Sequence, residues 1–220
     1  MPNDHANRTN DPKGASRAAM LYAVAAAAFI AGGLMAVVAG PPPSEAPTLG
    51  MLQHSLWAVA VTLLAVGTFA LVRNRPALRE GSSGLLALGS MMLGVVVGVQ
   101  WVTWAYVDLR ASADASYEQA LATIITPFGA GQLMMYAIFV GAGFALLGRA
   151  LARSGVASGV VGTAGIAIGG LTVLAAVISI FFGLGGGHDG TWIFDAATLL
   201  IPVGYLWATF AGFQATRRSA

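Results

Sequence analysis

Six long apolar runs alternate with short polar gaps along this chain, at roughly residues 18–40, 51–72, 84–107, 131–151, 156–184 and 192–214. About 20 consecutive apolar residues form a helix long enough to cross the hydrocarbon core of a bilayer. The pattern therefore predicts an all-α fold, a polytopic membrane helix bundle with six transmembrane helices. Residues 18–216 form its single domain, between a disordered tail at 1–17 and a short tail at 217–220. The gaps leave no room for a soluble domain on either side.

Several local signals refine these limits. Pro41-Pro42-Pro43 cannot continue the first helix. Val37-Val38-Ala39 has the small-residue character of a signal-peptidase site. The apolar stretch before it is longer than the usual 7–15 residues of a cleaved leader, so it reads as a span. In the longest gap, Tyr117, Leu121, Ile124 and Phe128 recur at helical spacing among polar residues, and Asp114 can cap the start. This predicts a short outer interfacial helix near 115–126, with Pro127 and Gly129 turning the chain into the fourth span. One long kinked helix from about Glu118 is the alternative. Met20-Leu21-Tyr22-Ala23-Val24 resembles Met134-Met135-Tyr136-Ala137-Ile138, a hint of an inverted repeat for which chance is the simpler account.

Charge placement gives the orientation. Of 11 basic residues, Arg110 alone lies in a gap predicted on the outer side. Arg8, Lys13 and Arg17 precede the first run; Arg73, Arg75 and Arg79 follow the second; Arg149 and Arg153 follow the fourth; Arg217 and Arg218 follow the sixth. Basic residues beside spans remain cytoplasmic, so both termini are expected inside. Alanine richness and a preference for Arg over Lys fit a GC-rich prokaryotic genome, hence a multi-pass protein of a prokaryotic plasma membrane. Only 9% of residues are charged, against about 25% in soluble domains, as expected when lipid is the main solvent. The net charge of +2 is dispersed over loop ends, which argues against a nucleic-acid partner. The chain has no cysteine, which excludes disulfides, thiolate metal sites and cysteine nucleophiles.

Candidate chemistry is sparse. Gly94 and Gly98 form one GxxxG motif, and Gly165 and Gly169 another, extended by Gly159 and Gly162. Such faces let helices approach closely. Packing inside one subunit is the simpler reading; a homo-oligomer or membrane-protein interface is the other. No ionisable residue lies near the middle of a span, which argues against an ion-coupled pump. Gln100, Thr103, Gln132, Thr62 and Ser179 are the neutral polar groups available for interhelical bonds or ligand contacts.

The outer face collects aromatic and polar residues. Trp57, Trp101, Trp104, Gln100 and Gln132 could line a ligand cleft, since aromatic walls with a few polar groups typify small-molecule sites. An interfacial aromatic belt is the plainer reading. His54, His188, Asp189 and Asp195 share that side, and His54, His188 and Asp195 are the candidate metal ligands. They lack helical ligand spacing and any HExxH motif. Gly81-Ser82-Ser83-Gly84 has the look of an intramembrane serine-protease motif, but His5 is the only histidine predicted on its side. No cofactor is expected.

The resulting expectation is an integral membrane protein, more readily a non-enzymatic accessory or structural bundle acting through helix surfaces. Its expected partners are membrane lipids and either a second copy or another membrane protein. A small carrier or binding protein for a neutral or lipid-like compound is the alternative. A metal-assisted membrane enzyme is the third reading.

Overall fold

The computed structural model describes residues 12–39, 47–111, 126–182 and 191–217. The side chains of some residues within these ranges, among them Trp104 and Asp195, are excepted. The described residues are helical, joined by short turns, with no strand among them. The six long helices are α1 (Pro12–Ala39), α2 (Pro47–Asn74), α3 (Ser83–Ala111), α4 (Thr126–Ser154), α5 (Gly159–Phe181) and α6 (Thr191–Arg217). Each contains a segment of 20 to 26 residues long and apolar enough to cross a membrane. The six expected spans are therefore present.

The helices extend beyond the apolar runs. α1 begins at Pro12, inside the stretch that the sequence reads as tail. α4 begins at Thr126, so Pro127 lies in its first turn instead of turning the chain. Proline is tolerated there because the first N–H groups of a helix have no intrahelical acceptor. The expected interfacial helix near 115–126 falls almost wholly outside the described residues. Pro202 lies inside α6, as membrane helices allow when neighbours satisfy the freed carbonyl.

Each helix packs on its sequence neighbours, and α1 closes the ring against α6. Paired contacts fix the directions as antiparallel. Gly32 meets Trp57 while Gly67 meets Tyr22 along the α1–α2 seam, and Gly143 meets Met91 while Gln132 meets Gln100 along α3–α4. Arg73, Arg75, Arg79, Arg149, Arg153 and Arg217 consequently share one end of the bundle, here the basic end.

Lipid tails are as apolar as leucine, so burial of apolar surface does not drive these helices together. Shape complementarity must. Two devices supply it. In the first, a ring or branched side chain enters a glycine notch: Trp207 at Gly165, Phe144 at Gly204, Tyr22 at Gly67 and Val61 at Gly98. In the second, backbones touch directly. Gly169 faces the Gly141 carbonyl, and Gly148 faces the Gly162 carbonyl, with an added Cβ at Gly148 lying only 2.6 Å from that oxygen. The α4–α5 seam is thus a close backbone contact of the kind that small residues permit between membrane helices.

The loop between α2 and α3 is held from within. A 3-10 turn at Pro76–Leu78 leads into Gly81 and Ser82, both with positive φ (73° and 60°). Arg75 is 6% exposed, and its Nη2 donates to the Ala215 carbonyl in the last turn of α6 at 2.9 Å. Burial draws its pKa down from the ordinary guanidinium value, and it stays charged at neutral pH. A cation at this position complements the negative end of the α6 dipole.

Candidate functional site

The residues that the sequence offers as cleft walls lie at the end of the bundle opposite the basic end. Trp57 projects from α2, and its Nε1 donates to the Phe29 carbonyl of α1 at 3.1 Å. Its ring stacks on Phe29, with centroids 5.7 Å apart, and tilts against Trp101 of α3 at 5.4 Å. Trp101 is 4% exposed and lies 4.6 Å from Tyr136 of α4. The two tryptophans therefore turn toward each other and toward the core. The side chain of Trp104 lies outside the described residues.

From this pair, rings continue inward. Phe29 stacks on Tyr205 of α6 at 4.8 Å, Tyr205 meets the edge of Phe144 at 6.1 Å, and Phe144 meets Trp207 at 5.9 Å. Five helices contribute rings to this column. α5 contributes the notch at Gly165 and the Val161 carbonyl, which accepts from Trp207 Nε1 at 2.8 Å. Sequence reasoning missed Phe29, Tyr136, Phe144, Tyr205 and Trp207 as a group. A signal was available: tyrosine and tryptophan in mid-span carry a polar atom that needs a partner.

The two tyrosine hydroxyls of the column meet each other. Tyr136 and Tyr205 share a hydrogen bond of 2.6 Å between hydroxyls, both side chains being fully buried. A second buried pair lies nearer the basic end, where Tyr22 and Thr68 hydroxyls are 3.0 Å apart. Thr68 also lies 2.8 Å from the Met91 sulfur. Gln132 Nε2 donates to Gln100 Oε1 at 2.6 Å, joining α3 to α4 near the outer limit of the column. Thr62 and Ser179 donate to carbonyls four residues back in their own helices, Ala58 and Ala175, both at 2.8 Å. Thr103 is exposed. A surface groove of about 300 Å³ between α2 and α3 is lined by Ser55, Ala58, Val59, Thr62, Leu63 and Val102.

Of the candidate metal ligands, His54 is placed. Its Nδ1 lies 2.9 Å from the Gly50 carbonyl, and its ring meets the edge of Trp57 at 6.0 Å. His188 and Asp189 lie outside the described residues, as does the Asp195 side chain. Among the described residues, no three His, Cys, Asp or Glu side chains form a cluster able to hold a metal ion.

The four glycines expected to mark packing faces are buried within the subunit. Gly94 faces Val140, Gly98 faces Val61, Gly165 faces Trp207 and Gly169 faces Gly141. The arrangement can bind helices to one another and hold rings rigidly; among the described residues, Arg75 at the basic end is the buried charged side chain. No known family model matches the chain, and no curated protein or solved structure is detectably similar to it.

Proposed function

We propose that this protein is a non-enzymatic accessory or structural subunit of a prokaryotic plasma membrane, acting through its outer helix surfaces. The carrying observation is the aromatic column, whose rings from five helices pack on one another through the bundle core. Surfaces remain available on α3 and α5, whose spans are the least buried of the six. Leu93 and Val96 on α3, and Leu171 and Leu174 on α5, are exposed. A second copy or another membrane protein is the proposed partner. The clustering of arginines supports placing the basic end in the cytoplasm.

Because the chain has no cysteine, single cysteines report cleanly. Leu93→Cys or Leu171→Cys, oxidised in the native membrane, should give a discrete disulfide adduct with a second copy or one defined partner. A Ser82→Cys chain should react with an impermeant maleimide from the cytoplasmic side. No adduct at either exposed helix would refute the surface-acting reading, and labelling of Ser82→Cys from outside would reverse the orientation.

A binding protein for a neutral or lipid-like compound is the second reading. The Gln100–Gln132 pair, exposed beside the buried Trp101, favours it. A neutral amphiphile that raises the melting temperature should then lose its effect in Gln132→Ala. A shift unchanged by that substitution would count against this reading.

A further inference from the structure

A groove of about 450 Å³ runs between α4 and α5 toward the basic end. Its walls are Ala145, Leu146, Ala152 and Ile166, and Arg149 and Arg153 stand at its rim. The sequence explains the shape. Glycine and alanine draw the two backbones together, so short side chains border a furrow that the longer Leu146 and Ile166 flank. Arg149 and Arg153 are four residues apart on one helix and therefore share a face. Both are exposed.

The geometry points to this groove as a binding site for one acidic phospholipid. Three observations carry the assignment. First, the site is divided as a lipid is divided. The arginines occupy the last two turns of the α4 span, at headgroup depth, and Ala145 lies about 12 Å deeper than Arg153 at 1.5 Å per residue. Second, the two guanidiniums can engage one phosphate with several parallel N–H donors, the geometry in which arginine binds phosphate best. Third, the two helices that form the groove carry no compensating charge. No Asp or Glu occurs between residues 119 and 188, so neither α4, α5 nor the turn joining them carries a carboxylate. A zwitterionic headgroup would find no anion for its ammonium on these helices, whereas a net negative headgroup meets two cations. The apolar walls favour a lipid over free phosphate.

This site rests on the chain spanning a membrane. Failure of that premise would appear as a protein that does not float with vesicles; failure of the site leaves flotation intact. The test uses the full chain purified in a non-ionic detergent, with native mass spectrometry and thermal melts. The probes are dioleoylphosphatidylglycerol, dioleoylphosphatidylcholine and inorganic phosphate. One phosphatidylglycerol per chain should be retained and should raise the melting temperature. Arg149→Gln with Arg153→Gln should weaken that binding about 25-fold, from about fivefold for each cation near a phosphate surface. Arg79→Gln with Arg217→Gln, at the same end but away from the groove, should change it less than about twofold. Ile166→Gln keeps both charges and should still weaken binding by about fivefold, through loss of the apolar wall. Equal weakening by the distant arginine pair would overturn the site in favour of diffuse attraction. Equal binding of phosphatidylcholine, equal stabilisation by phosphate alone, or indifference to Ile166→Gln would each overturn the acidic-lipid assignment.

Discussion

Gly169→Leu should disrupt the bundle, and Gly170→Leu, one residue later in the same helix, should leave it intact. A Cβ at Gly169 would run into the Gly141 carbonyl and the Ala145 backbone nitrogen, and neither can rotate aside. α4 and α5 would have to separate, which also opens the Gly148–Gly162 contact further along the seam. Overpacking of a close-packed interior usually costs about 1–3 kcal/mol, and a clash with backbone belongs at or above the upper end. Gly170 is exposed, with nothing within 4 Å of an added Cβ. Gly170→Ala should be neutral or stabilising by about 0.5–1 kcal/mol, the amount a mid-helix glycine forfeits relative to alanine. Equilibrium unfolding in mixed micelles compares the pair. Equal destabilisation by both leucines would mean that the seam is not where the structure places it.

The second large effect concerns Tyr205, at the centre of the aromatic column. Tyr205→Ala should destabilise by about 3–5 kcal/mol, because it removes a ring that touches Phe29 and Phe144 and the hydroxyl that meets Tyr136. Tyr205→Phe should cost far less. Interhelical hydrogen bonds in membrane proteins average about 0.6 kcal/mol, with a maximum near 1.7. Ring packing therefore outweighs the hydroxyl pair several-fold in holding α1, α4 and α6 together. Adding Tyr136→Phe to Tyr205→Phe should recover part of the single-variant loss, since no buried hydroxyl is then left without its mate. A Tyr205→Phe effect as large as that of Tyr205→Ala would show that the hydrogen bond dominates the core.

The six spans were legible because hydrocarbon imposes a length and a composition that nothing else in the sequence imitates. Close approach was legible too, as the GxxxG spacings of Gly94, Gly98, Gly165 and Gly169. Their partners were not. Each helix is apolar all round, so no stripe marks the inward face, and the closure of α1 against α6 leaves no periodic trace. Trp57 and Trp101 were picked out as outer aromatics, but as the lining of a belt or cleft. Phe29 carried no signal, because a mid-span phenylalanine reads like any other apolar residue until its neighbours are known; the hydroxyls of Tyr136 and Tyr205 were the available cue. The groove at Arg149 and Arg153 was hidden for a related reason. Those arginines serve as orientation signals in sequence, and only the short side chains on two adjacent helices give them an apolar furrow.

The α1–α6 seam has a bearing on how the protein is made. Ala19 and Tyr22 meet Gly212, and Phe29 meets Tyr205, so of these six helices the one made earliest finishes its packing on the one made latest. Chains are synthesised from the amino end at about 5–20 residues per second. Through most of translation, α1 must therefore wait in the bilayer with this flank against lipid or an insertion factor. A chain that stops before α6 lacks its closing stave and also Tyr205 and Trp207 of the aromatic column. Such a truncated product would leave the notch at Gly165 and the ring of Phe29 without the α6 side chains that cover them.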